Sequence, residues 1–145
     1  MLSDIIRKET GALYRTPILQ QTAFWSDVKN RLGVTSLAID FRSDRSGMFT
    51  ASGEKGHVNS DLLVLIRELG NGDSLAYVPY GPELEPDEEA QGPFLEELSE
   101  SLRSFLPAGC IMIRYDLFWE SYWAKERENF DGNGYWMGEP DSRFR

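Results

Sequence analysis

The 145-residue chain has one histidine, His57, and one cysteine, Cys110. That scarcity removes several chemistries at once. A structural or catalytic zinc site draws on a cluster of Cys and His ligands, so no metal is expected. A lone cysteine forms no internal disulfide, which agrees with a cytoplasmic location. A Ser-His-Asp triad would have to use His57, which sits in a polar stretch, and no G-x-S-x-G elbow occurs. A Cys110–His57 pair is disfavoured because Cys110 reads as a buried strand residue. Long apolar runs are missing too. Nothing approaches the roughly eighteen consecutive apolar residues of a membrane-spanning helix, and the first ten residues lack a signal core. Neither a P-loop nor a dinucleotide fingerprint is present, and no cofactor is expected.

Positive charge is also in short supply. Fifteen Lys and Arg stand against 24 Asp and Glu, for a net charge of −9. Glu83, Glu85, Asp87, Glu88, Glu89, Glu96, Glu97 and Glu100 follow one another with no Lys or Arg between them. Such a surface repels phosphate backbones, so the chain alone is a poor nucleic-acid binder. A small anion could still bind at a local basic spot. With 41% hydrophobic and 27% charged residues, the composition is that of an ordinary single globular domain.

What the chain does have is a stiff aromatic segment, Tyr77-Val78-Pro79-Tyr80-Gly81-Pro82. Two prolines and a glycine leave this backbone little entropy to lose on ordering. Tyr77 and Tyr80 add flat apolar faces and hydroxyl tips beside it. That combination suits holding a ligand; a stiff strand-to-helix connection is the plainer alternative.

Periodicity supplies the frame. Residues 1–15 read as a short helix or a mobile lead-in, and 17–20 as a short extended piece. Thr22 is the expected N-cap of a helix over 23–32, with Phe24, Trp25, Val28 and Leu32 at helical spacing and Gly33 as its stop. Residues 34–41 form a strand by their β-branched and aromatic content. Residues 42–57 read as an exposed loop or hairpin tip. Strands are expected over 61–69 and 74–80, joined by the hairpin signal Asn71-Gly72-Asp73. A helix over 92–105 places Phe94, Leu95, Leu98 and Leu102 on one face, and its carboxylates face outward. Residues 110–115 form the last strand. The order is β-α-β-β-β-α-β, an α+β sandwich-like fold with a mixed sheet and helices packed on it.

Arg67-Glu-Leu-Gly70-Asn-Gly72 matches the R-x-x-G-x-G/A pattern of coenzyme A loops. Such a loop works because N–H groups at a helix N-terminus face the phosphates. Strand-like residues follow here, so the match falls in a hairpin turn and carries no expectation of coenzyme A.

Several segments in order resemble the Fem family (FemA, FemB, FemX). Leu19-Gln20-Gln21-Thr22-Ala23-Phe24-Trp25 followed by Lys29 is similar to the family's opening "LQ-s-x-x-W-x-x-x-K" segment. Leu65-Ile66-Arg67 resembles its arginine strand, and Tyr77 to Pro82 its "Y-x-P-x-G-P" segment. Phe94-Leu95-x-x-Leu98 and Ile113-Arg114-Tyr115-Asp116, with Trp119 behind, complete the series. The resemblance covers residues 17–119. It implies a non-ribosomal peptidyltransferase of bacterial cell-wall synthesis, one that carries an amino acid from aminoacyl-tRNA to the peptidoglycan stem peptide. It implies two acetyltransferase-like (GNAT) domains, of which this chain matches the first, the one that binds the precursor. The implied partner is therefore UDP-MurNAc-peptide or its lipid-linked form.

The resemblance also implies site residues. Lys29 corresponds to a lysine that binds the precursor diphosphate. Tyr80, with Tyr77 and Gly81, lies where the family lines the precursor cleft. Trp25 accompanies Lys29 one turn away and is a core anchor in preference to a ligand platform. Arg114 and Asp116 are expected to pair with each other or with the returning chain, in a structural role before a catalytic one, and no catalytic residue is assigned. The family's "QP-x-x-T" strand and second domain have no counterpart here. The isolated chain is thus expected to be a partial domain over 17–119, with lead-in 1–16 and an aromatic-rich tail 120–145, inactive alone and reaching aminoacyl-tRNA only through the missing domain. The alternative reading is a non-catalytic GNAT-like interaction domain. It would self-associate as a homodimer or dock a partner through Trp119, Trp123 and Trp136.

Overall fold

The computed structural model of the protein describes residues 1–45, 56–119, 130–135 and 137. Trp123 and Trp136 of the aromatic tail lie outside them. The described elements are β1 (Leu2–Lys8), α1 (Ala23–Arg31), β2 (Thr35–Asp44), β3 (His57–Gly70), β4 (Asp73–Pro79), α2 (Glu88–Leu102) and β5 (Cys110–Asp116). Short 3-10 turns occupy Thr10–Ala12, Leu19–Gln21 and Arg103–Phe105. Among the described residues the sheet has five strands in the order β1-β2-β3-β4-β5. The first three pairings are antiparallel and the last, β4 with β5, is parallel. The fold class is α+β, as expected. No helix among the described residues is long and apolar enough to cross a membrane.

Alternation along the central strands decides what covers each face. Leu37, Ile39 and Phe41 of β2 share one face with Leu62, Val64 and Ile66 of β3 and with Ala76 and Val78 of β4. Phe94, Leu98 and Leu102 of α2, one turn apart, close over this face. Trp119 joins the same core, with its ring centroid 6.3 Å from that of Phe94. It is buried, so it is unavailable to the tail-mediated association considered above. The opposite face carries Ala38, Leu63 and Leu65, all buried, and α1 lies against β2 and β3 there. Ser26 of α1 is fully buried, and its hydroxyl bonds that of Ser36 at 2.6 Å.

Local signals account for most boundaries. The Thr22 hydroxyl accepts the Trp25 N–H at 3.2 Å and so caps α1. Asn71 and Gly72 both have positive φ, which suits a tight two-residue hairpin with the strand twist. Gly109 is sterically required: a Cβ there would lie 1.8 Å from the Gly72 carbonyl oxygen. That contact sets the start of β5 against the hairpin, where Ser74 N–H donates to the Gly109 carbonyl at 2.8 Å.

Three sequence expectations need correction. The first strand is Leu2–Lys8, not residues 17–20, which lead into a 3-10 turn. Residues 1–15 mix charged and apolar groups, a pattern that suggests a short helix or a mobile lead-in. An edge strand needs few apolar residues: Leu2 alone is buried, and the ladder to β2 does the rest. The second correction concerns 42–57, where pairing continues past Phe41 to Asp44 opposite His57. Polar cross-strand pairs such as Arg42 Nε to Asn59 Oδ1, 3.1 Å, hold that extension. The part of that segment at 46–55 lies outside the described residues. Finally, α2 starts at Glu88, before Gly92 and Pro93. Glu88 and Glu89 in its first turn favour the positive end of the helix dipole.

β1 is held by more than its ladder. Asp40 and Asp61 are direct cross-strand neighbours on β2 and β3. Lys8 Nζ bridges them, 2.9 Å from Asp40 and 2.7 Å from Asp61. Tyr14 N–H also donates to Asp61, and the Lys8 ammonium lies 3.9 Å from the centre of the Tyr14 ring. Burial pulls the Lys8 pKa down, but the bonds to Asp61 and Asp40 outweigh it, and the net shift is upward. A raised lysine pKa means the contribution is full at neutral pH and fades only as pH rises past the ordinary lysine range. All three side chains are less than a third exposed. Lys8→Met leaves two facing carboxylates and should cost about 3 kcal/mol in urea unfolding at pH 7.

Candidate functional site

The site is built where two parallel strands end together. Tyr77 of β4 sits opposite Arg114 of β5, and Pro79 opposite Asp116. By alternation Tyr77, Arg114 and Asp116 project on the α1 side of the sheet, the side opposite α2. Ligand sites of open sheets with parallel strands favour such carboxyl ends. The Tyr77 hydroxyl donates to Asp116 Oδ2 at 2.5 Å, and Arg114 Nε donates to Asp116 Oδ1 at 3.2 Å. The Arg114 guanidinium lies 5.7 Å from the centre of the Tyr77 ring. The expected Arg114–Asp116 pair is therefore present, and Tyr77 is its third member.

This arrangement fixes protonation states. Burial, then the bond to Asp116, pushes the Tyr77 phenol up to about 12. The bond from Tyr77, aided by Arg114, lowers the Asp116 pKa. At neutral pH the trio thus comprises a neutral phenol, a carboxylate and a guanidinium. It can donate and accept hydrogen bonds and attract an anion through Arg114. The phenol is poorly placed to act as a base.

Tyr80 follows at the tip. It is 46% exposed and adopts φ +51°, an uncommon backbone state for a residue with a side chain. Gly81 and Pro82 behind Tyr80 are buried, joined by a cis peptide bond.

The residue beneath this turn is Gln21, which is buried. Its Oε1 accepts the Leu63 N–H at 2.8 Å. Its Nε2 donates to the Pro79 carbonyl at 2.6 Å and, at 3.4 Å, to the Leu63 carbonyl. Gln21 had been read only as part of a motif, with no role of its own. A signal was available: Pro79 has no N–H, so a strand beside it must satisfy its backbone from elsewhere.

Trp25 and Lys29 lie on α1, on the same side of the sheet. The Lys29 ammonium is 4.9 Å from the centre of the Trp25 ring and makes no ion pair among the described residues. Trp25 Nε1 is buried without a hydrogen-bond partner. No described hydrogen bond or ion pair joins Trp25 or Lys29 to the Tyr77–Tyr80–Arg114–Asp116 group. The structure thus forms two subsets on one face: a carboxyl-end cluster and an aromatic–ammonium pair.

The remaining reactive residues are far apart. Cys110 opens β5, at the opposite end of that strand from Asp116. His57 opens β3 and sits 3.1 Å from Asp44. Arg67 to Gly72 runs along β3 into the hairpin, with no helix N-terminus there. Among the described residues no group of His, Cys, Asp and Glu is arranged to hold a metal ion. Comparison with known proteins gives no match to a family model, a curated protein or a solved structure.

The Tyr77 shift yields a measurement. A phenol with a raised folded-state pKa contributes stability that is full below about 10 and lost as pH rises through its folded value. The Tyr77 Cζ carbon resonance should titrate at about 12. In Asp116→Asn the midpoint should move down toward 10 without reaching it, because burial, the larger cause, remains.

Proposed function

We propose that this chain is the precursor-binding domain of a Fem-type aminoacyltransferase, which transfers an amino acid from aminoacyl-tRNA to the peptidoglycan stem peptide. The observation that carries the reading is the gathering of Tyr77, Tyr80 and Gly81 at the carboxyl ends of β4 and β5. Arg114 and Asp116 stand beside them. The strand arrangement adds support: three antiparallel pairings, then a parallel one reached through α2, is consistent with the first part of a GNAT-like domain.

In this reading Lys29 takes the precursor diphosphate. Its ammonium has no carboxylate partner among the described residues, and Trp25 supports it from one turn away. Tyr80, exposed on a stiff turn, meets the sugar or peptide part. Tyr77 stays neutral and serves as a hydrogen-bonding group. The transfer joins an amine to an activated ester, and positioning of the two substrates supplies much of the rate. The domain's contribution is to hold one of them, with no nucleophile or base of its own. The acidic stretch from Glu83 to Glu100 agrees with a tRNA contact made elsewhere. The interaction-domain alternative is weakened because Trp119, one of its three anchors, is in the core.

Thermal unfolding with UDP-MurNAc-pentapeptide tests the reading. A ligand at a hundredfold excess over its dissociation constant adds about 2.7 kcal/mol of stability. The wild-type melting temperature should rise, and the rise should shrink in Lys29→Ala. No rise at millimolar precursor overturns the proposal.

A further inference from the structure

We infer that Gln21 is the positioning residue of the Tyr80–Gly81–Pro82 turn, its side-chain amide standing in for a missing rung of the sheet. The register makes the argument. β3 and β4 pair from Glu68 opposite Ser74 to Leu65 opposite Tyr77. Two residues further the same register would set Leu63 against Pro79. There the ladder stops, since Pro79 has no N–H to give. Gln21 occupies that place. A side-chain amide carries an acceptor and a donor side by side, and Gln21 uses them to accept from Leu63 N–H and to donate to the Pro79 carbonyl. The same amide is the floor under Gly81: a Cβ at that position would lie 2.9 Å from both Gln21 Cδ and Nε2. The amide therefore fixes Pro79 on one side and limits Gly81 on the other. Tyr80, exposed and at positive φ, is held between them. The inference rests on the precursor-site reading only for its affinity readout.

The chemistry of the amide provides a discriminating variant. In Gln21→Glu a neutral carboxylic acid still has one acceptor for Leu63 N–H and one donor for the Pro79 carbonyl. The carboxylate keeps the acceptor and loses the donor. Burial raises the pKa of such an acid, with documented cases near 8–9. We would record amide resonances and Leu63 N–H exchange in wild type and Gln21→Glu from pH 5.5 to 9.5. Affinity for UDP-MurNAc-pentapeptide would be measured at both ends. Wild type over the same range corrects for Asp61 of β3, Tyr77 of β4, Tyr80, Lys29 of α1, Arg114 and Asp116 of β5, and the ligand. The variant should resemble wild type at pH 5.5. As pH rises, the Gly81 resonance should titrate, Leu63 exchange should speed up, and affinity should fall about tenfold relative to wild type.

Gly81→Ala gives the reciprocal test if Gln21→Glu unfolds at high pH. It should shift the Gln21 side-chain amide and the Leu63 N–H resonances, since the added methyl meets the amide directly. Unchanged Gly81 and Tyr80 resonances across the pH range in folded Gln21→Glu overturn the inference, as does Gly81→Ala with an undisturbed Gln21 amide. If wild type binds no precursor at either pH, the precursor reading fails alone, and the resonances and exchange rates still decide the role of Gln21.

Discussion

Pro79 cannot donate a hydrogen bond, and the arrangement around the site follows from that missing proton. Up to Tyr77, β4 is an ordinary antiparallel partner of β3. Beyond it β4 is left to β5 on one side and to a side chain on the other. A buried carbonyl without a donor is costly, on the order of 1–3 kcal/mol. The Gln21 amide removes that cost and lets the chain leave the sheet at Tyr80 without fraying. The Leu19–Gln21 turn and the Thr22 cap then fix where α1 begins, so the helix that carries Trp25 and Lys29 is placed from the same point.

The two subsets of the site differ in how they are built. Tyr77, Arg114 and Asp116 are locked by mutual bonds on adjacent strands, with their charges largely balanced within the trio. Lys29 is the opposite case, a cation that among the described residues meets an aromatic face and no carboxylate. A ligand carrying both hydroxyl or amide groups and a concentrated negative charge could use each subset for what it offers. The acidic excess of the chain as a whole makes this local asymmetry more selective, because a diffuse polyanion is repelled while a compact one can still reach an isolated ammonium.

How legible was this in the sequence? The α2 face, the Asn71-Gly72 hairpin and the Thr22 cap each depend on a few neighbouring residues, and each was readable. β1 was not, because its stability comes from residues far along the chain: Asp40, Asp61 and the β2 ladder. The Arg114–Asp116 pair was one of two arrangements the sequence left open, whereas its third member, Tyr77, required knowing that β4 and β5 are parallel and in that register. Gln21 was visible as a letter in a motif. Its role emerged only when Leu63 and Pro79 were brought within reach of one amide, across 42 and 58 residues of sequence.

The Lys8 bridge has a consequence for assembly. Asp40 and Asp61 face each other across β2 and β3, and like charges so placed repel unless a cation joins them. A foreign strand arriving at the exposed side of β2 would meet that repulsion and leave it unrelieved. A strand bearing a long cation at the place of Lys8 relieves it by bridging the two carboxylates. The position is therefore keyed by charge: it favours a strand with a cation there and disfavours pairing with strands that lack one.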